Sequence, residues 1–155
     1  MIVCVLGVDP GVTTGICRLR LETASTGRLA ITERLVLSCN AAAAGGLAEH
    51  LIKLSDGSPK IVIGGERFVP GNGAGAKGPQ AAVTRQVISA IDSLFQPVAW
   101  RSAAEVKTWA AEERMKKSGL YDMTRKMIDA YDASRHALFA AVHDCGLPDP
   151  LSRKR

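Results

Sequence analysis

The stretch Leu6-Gly7-Val8-Asp9-Pro10-Gly11-Val12-Thr13-Thr14-Gly15 decides how the rest of the chain is read. It follows Met1-Ile2-Val3-Cys4-Val5, an apolar run rich in β-branched residues, and such a run reads as a buried strand. Asp9 falls where that strand ends. Pro10-Gly11 sets a tight turn, and Ile16, Cys17 and Leu19 lead into a second strand. One carboxylate is therefore held at the mouth of a turn on a rigid support, as chemistry with a fixed acidic group requires. Capping of the Pro-Gly turn is the other reading of Asp9. This stretch by itself leaves both open.

Working outward, residues 1–8 and 14–21 are expected to be strands, Glu22 to Gly27 a polar turn, and residues 28–37 a third strand. Leu29, Ile31, Leu35 and Leu37 fit one face of it, with Glu33 breaking the apolar row. Three strands joined by short turns predict an antiparallel meander. Asn40 is placed to cap a helix over 41–54, which Asp56-Gly57-Ser58-Pro59 ends. Lys60 to Glu66 is a short apolar strand that again finishes on a carboxylate. A strand after a helix after a meander points to an α/β chain, a mixed sheet carrying helices. Residues 70–79 form a Gly-rich loop, read either as a close approach to a ligand or as a solvated linker. A helix over 80–95 carries Val87, Ile88, Ile91, Leu94 and Phe95 on one stripe, and 97–100 is a fifth strand. Ser102-Ala103-Ala104-Glu105 is a capping-box pattern opening a helix over 103–117. A last helix over 125–145 stops at Gly146 and Pro148.

The 155 residues fit one domain over 1–150 with a basic tail at 151–155. There is no apolar run of transmembrane length, and the first residues lack the basic region of a signal peptide. Cys4, Cys17, Cys39 and Cys145 are far apart and form no C-x-x-C pair, so they read as reduced thiols in a cytoplasmic protein, not as a zinc site. Twenty Lys and Arg against fifteen Asp and Glu give a net charge of +5. That balance favours a polyanionic partner without requiring one.

Acidic residues carry the chemistry. Asp9 and Glu66 end strands, and Asp129 and Asp132 stand three apart on the last helix, hence on one face. A solvated acidic helix face is the plain alternative for that pair. Four carboxylates brought together without a cation would repel one another and hold protons. A bound Mg²⁺, or Mn²⁺ in its place, resolves the conflict because hard cations take oxygen ligands. Two such ions can activate a water and stabilise a leaving oxygen in phosphodiester cleavage.

Gly7 to Gly15, Gly65-Glu66-Arg67-Phe68, Ala104-Glu105-Val106-Lys107 and Asp129-Ala130-Tyr131-Asp132-Ala133 together resemble the RuvC Holliday-junction resolvases, most of all their bacteriophage branch. The resemblance runs over about residues 1–146. It implies a ribonuclease H-like fold, with five strands, the second antiparallel to the rest, flanked by helices. It implies that Asp9, Glu66, Asp129 and Asp132 are metal ligands, and that Lys107 acts in DNA contact or catalysis. Phe68 lies one residue off the register of an aromatic that stacks at the junction. His136, one turn past Asp132, is a candidate for steadying it or handling a proton, and otherwise a structural histidine. The resemblance further implies a homodimer cutting two strands of a four-way DNA junction to leave 5′-phosphate and 3′-hydroxyl ends, with flaps and forks as further substrates. The helix at 80–95 is a candidate dimer face, although packing on its own sheet explains its stripe better.

Arg67, Phe68, Lys77, Arg85, Lys107, Lys116, Lys117, Arg125 and Lys126 are the candidate DNA contacts. Plain surface charge is the alternative for each cation, and core packing is the preferred reading of Trp100 and Trp109. Two other functions compete with the junction nuclease: a nuclease of the same fold acting on RNA, and a non-catalytic module that binds branched DNA. An actin-like ATPase also begins with Gly-x-Asp-x-Gly, but it needs a second similar domain that this chain does not hold.

Overall fold

A computed structural model describes residues 1–55, 60–69, 78–120 and 128–152. Five strands form one sheet in the order β3-β2-β1-β4-β5: β1 (Ile2–Asp9), β2 (Thr13–Thr23), β3 (Leu29–Asn40), β4 (Ile61–Glu66) and β5 (Ala99–Arg101). β1 and β2 pair antiparallel, as do β2 and β3, while β1–β4 and β4–β5 are parallel. β2 is thus the one strand running against the rest, as expected. The helices are α1 (Ala41–Lys53), α2 (Pro79–Leu94), α3 (Ala103–Trp109), α4 (Glu112–Lys117) and α5 (Ile128–Phe139). No helix among the described residues is long and apolar enough to cross a membrane.

The two-residue period of the strands divides the core. Leu6, Val8, Ile16 and Ile63 pack under α1 and α2 with Leu51, Val87 and Ile91. Val3, Val5, Cys17, Leu19 and Val62 pack on the other face with Ala133, Ala137 and Leu138 of α5 and Met115 of α4. Each fully buried Leu or Ile contributes about 1.5–3 kcal/mol. The stripe of α2 is used inside the molecule: Val87 and Ile91 are buried and Phe95 packs beside them, although Leu94 stays 42% exposed. All four cysteines are free.

Local signals held where local chemistry decides. Asn40 Oδ1 accepts from Ala43 N at 3.0 Å and caps α1. Ser102 and Glu105 form the reciprocal capping box of α3. Gly119 and Gly146 leave their helical turns at φ +71° and +65°, a region that favours glycine.

Three expectations need correction. Leu29, Ile31, Leu35 and Leu37 do not share a face. Ile31 pairs with Leu21 but Glu33 with Arg20, so Thr32 is an extra residue. This bulge reverses the alternation. Leu29 and Ile31 pack toward α5, Leu37 packs toward α1, and Leu35 is exposed. The helix over 103–117 is two, broken at Ala110 and Ala111, whose backbones are non-helical. The break turns Met115 into the core beside Val106, and Arg114 Nη1 donates to the Trp109 carbonyl at 3.2 Å across it. The last helix is α-helical only to Phe139, and residues 140–144 form a wider π turn closed by Cys145 N on the Ala140 carbonyl at 3.0 Å. The turn at 56–59, residues 70–77 of the Gly-rich loop, the helix start at 125–127 and the tail residues 153–155 lie outside the described residues.

Helix α5 lies against the sheet backbone itself. A Cβ on Gly15 would stand 2.0 Å from the Asp129 carbonyl oxygen, one on Gly7 1.9 Å from that of Ala133, and one on Gly64 2.4 Å from that of His136. The three glycines lie on β2, β1 and β4, and their partners are spaced i, i+4, i+7, along one helical face. No side chain fits between sheet and helix there. Gly7→Ala should therefore cost more than about 3 kcal/mol in urea unfolding, since backbone and not a movable side chain blocks the methyl. Gly46→Ala, with nothing within 4 Å of the new Cβ, should instead stabilise by about 0.5–1 kcal/mol through helix propensity.

Candidate active site

Strand period and register bring the first two carboxylates together. Val5, Gly7 and Asp9 alternate toward α5, as do Val62, Gly64 and Glu66. Val8 pairs with Gly65 in the parallel ladder, so Asp9 and Glu66 are next-door ends of adjacent strands. Asp9 is also opposite Gly15, and Gly15 is where the α5 backbone rests at Asp129. The glycine contacts therefore set Asp129 and Asp132 over the strand ends that carry Asp9 and Glu66.

The charges register this convergence. Asp9 is pushed up to about 8, by burial first and then by Glu66, Asp132 and Asp129, with Lys107 opposing. Asp129 is also raised, by burial and then by Asp132 and Glu66. Nitrogen-bearing side chains of α3 and α5 meet the acids. Lys107 Nζ of α3 lies 3.1 Å from Asp132 Oδ2, Arg135 Nη1 lies 3.4 Å from Asp132 Oδ1, and His136 Nε2 lies 3.4 Å from Glu66 Oε2. His136 is buried, and its Nδ1 has no hydrogen-bond partner. Among the described residues, no group of three or more His, Cys, Asp and Glu side chains closes into a metal cage. The donor set nonetheless suits a hard divalent ion: its acids supply oxygen ligands, and the neighbouring carboxylates Glu66, Asp132 and Asp129 that add to the effect of burial on Asp9 are charges a bound cation would offset.

The candidate DNA contacts divide by position. Arg67 is exposed directly after Glu66, and its backbone N donates to the Arg101 carbonyl at 2.8 Å. The Arg85 guanidinium lies over the Phe68 ring, 5.2 Å from its centroid. A cavity of about 450 Å³ opens there, lined by Glu66, Arg67, Phe68, Thr84 and Ser102 among others. Lys116 and Lys117 stand apart. Lys116 pairs with Glu112 at 2.5 Å. Lys117 lines a groove with Leu29 and Ile31, beside the start of β1, about 23 Å along the strand from Asp9. Arg101 and Arg114 are joined to Asp144 and Asp149. Trp100 donates to Asp92 at 2.8 Å, and Trp109 packs edge-on against Phe139. Lys77, Arg125 and Lys126 lie outside the described residues.

Sequence reasoning passed over Arg135 and the glycines under α5. The usable signals were Gly in otherwise apolar strands at 7, 15 and 64, and the small residues Ala130, Ala133 and Ala137 facing them.

The raised Asp9 pKa fixes a sign. From about pH 4 to pH 8 the native chain holds a proton there that the unfolded chain releases, so metal-free stability falls as pH rises through that window. Thermal melts of the metal-free protein at pH 5 and pH 8 check this. Asp9→Asn should flatten the dependence and raise Tm at pH 8, by about 2–4 °C for each kcal/mol regained.

No protein-family model matches the chain, and no curated protein matches it in sequence. Solved structures do. One is Thermus thermophilus RuvC in complex with a Holliday junction substrate, at a TM-score of 0.60 and 15% identity over 94% of this chain and 96% of that one. Another is a Thermus thermophilus RuvC structure, at a TM-score of 0.58 and 19% identity over 94% and 97%. At these identities the likeness is one of fold, and the chain has the RuvC type of ribonuclease H-like architecture.

Proposed function

We propose that the chain is a divalent-metal-dependent endonuclease of branched DNA, with four-way junctions as principal substrate and flaps and replication forks as further ones. The observation that carries this reading is the convergence of Glu66, Asp129 and Asp132 on Asp9 at the end of β1. Fold likeness to a protein solved with a Holliday junction substrate adds support. The sequence motifs favour the bacteriophage branch of such enzymes. A homodimer would present two sites to two strands of one junction.

In this reading Asp9, Glu66, Asp129 and Asp132 hold Mg²⁺, with Mn²⁺ able to replace it. Such ions, when bound, supply an activated water and charge stabilisation at the leaving oxygen. The protein's own groups do the rest. Strand ends hold Asp9 and Glu66 rigidly. His136, locked in α5, steadies Glu66 through Nε2. Lys107, 46% exposed at the site's mouth, is placed to meet a backbone phosphate. Arg67, Phe68 and Arg85 line the approach beside Glu66, and Lys77, Arg125 and Lys126 complete the proposed contact set. Lys116 and Lys117 suit a duplex arm well away from the scissile phosphate.

Cleavage of a labelled immobile four-way junction beside a matched linear duplex, each with Mg²⁺ and with EDTA, tests the proposal. Cutting of the junction alone, and only with Mg²⁺, is expected. Asp9→Asn and Glu66→Gln should each lower the rate by more than about a hundredfold while the fold and junction binding persist. Binding without cutting would favour a non-catalytic module, and cutting of RNA hairpins alone an RNA nuclease.

A further inference from the structure

Asp132 is gripped at both oxygens by unlike cations. Arg135 Nη1 meets Oδ1 at 3.4 Å and Lys107 Nζ meets Oδ2 at 3.1 Å. Their surroundings differ sharply: the side chain of Arg135 is 9% exposed and that of Lys107 46%. We infer that Arg135 is a positioning residue that fixes Asp132 from the buried side, and that Lys107 is an exchangeable counter-ion that yields its oxygen to an incoming divalent cation. The inference deepens the metal-site reading above and rests on it.

Physical chemistry separates the two roles. A guanidinium stays charged at any ordinary pH, and a buried one needs anionic partners. Arg135 comes from the same helix as Asp132, three residues on, so it holds Oδ1 from a fixed base. Lysine is a compact ammonium on a flexible stem, and an exposed one leaves its partner at little cost. The Lys107 charge also reaches Asp9, so it sits where the acids are short of a cation. An ion entering there would displace Lys107 and free it to contact phosphate, while Arg135 keeps the carboxylate turned toward the site.

Titration calorimetry of Mn²⁺ into the metal-free, full-length protein tests this without DNA or turnover, because the two cations predict opposite signs. Lys107→Gln should bind Mn²⁺ more tightly, by about threefold to tenfold, since a competing charge is gone. Arg135→Gln removes a charge too, yet should bind about tenfold or more weakly, because the carboxylate loses its support. Arg135→Lys keeps the charge and gives up the planar fork, so it should fall between Arg135→Gln and wild type. It also serves as the test if Arg135→Gln does not fold. Tighter binding in Arg135→Gln, wild-type affinity in Arg135→Lys, unchanged or weaker binding in Lys107→Gln, or a wild-type protein that takes up no Mn²⁺ would each overturn the inference. A wild-type protein that binds Mn²⁺ with these variant effects but cuts no branched DNA would defeat only the nuclease reading.

Discussion

The structure depends on a contact between two backbones. Carbonyls of α5 at Asp129, Ala133 and His136 rest on Gly15, Gly7 and Gly64, at distances that leave no room for a Cβ. Protein interiors are packed too densely to absorb an extra methyl against a fixed carbonyl. The helix is therefore held at one height and one rotation above three adjacent strands. That height sets Asp129 and Asp132 close to the strand ends of Asp9 and Glu66. A helix raised by an ordinary layer of side chains would carry its acids away from them. The small residues Ala130, Ala133 and Ala137, all fully buried, are the helix's side of the same arrangement.

Proximity of that kind costs stability. Burial and three neighbouring carboxylates work against the Asp9 charge, and Lys107 answers only part of that repulsion, while Arg135 pairs with Asp132. Such concentrations of uncompensated charge mark functional sites more often than structural ones. The rigid scaffold makes the arrangement tolerable. β1 is buried from Val3 to Val8, with neighbours paired along both sides, so the strand end cannot swing Asp9 away from its neighbours.

Much of this was legible in the sequence, and the parts that were share a physical cause. Asp9 and Glu66 were found because apolar β-branched runs and turn residues mark strand ends within a few positions. Asn40 and Ser102–Glu105 were found because caps are local. The missing pieces depend on partners distant in the chain. The Thr32 bulge is set by pairing with β2, and nothing in the composition of β3 announces it. Ala110 and Ala111 are good helix formers, yet burial of Met115 overrides their propensity. Arg135 looks like any surface cation on a helix until the sheet beneath α5 is known. The glycine bed links residues 7, 15 and 64, and only the strand order makes them neighbours. Basic residues were the least legible, since Lys107 and Lys117 look alike in sequence but stand at opposite ends of the sheet.

The height of α5 brings Asp129 and Asp132 to the strand ends of Asp9 and Glu66, and the proposed function requires these acids to hold a divalent cation. A crystal structure grown with Mn²⁺, with anomalous scattering data, tests that requirement most directly. The account predicts an anomalous peak at the end of β1, within ligand distance of Asp9 and Asp132 carboxylate oxygens. A map with no peak there, at Mn²⁺ concentrations that saturate binding in solution, would contradict it.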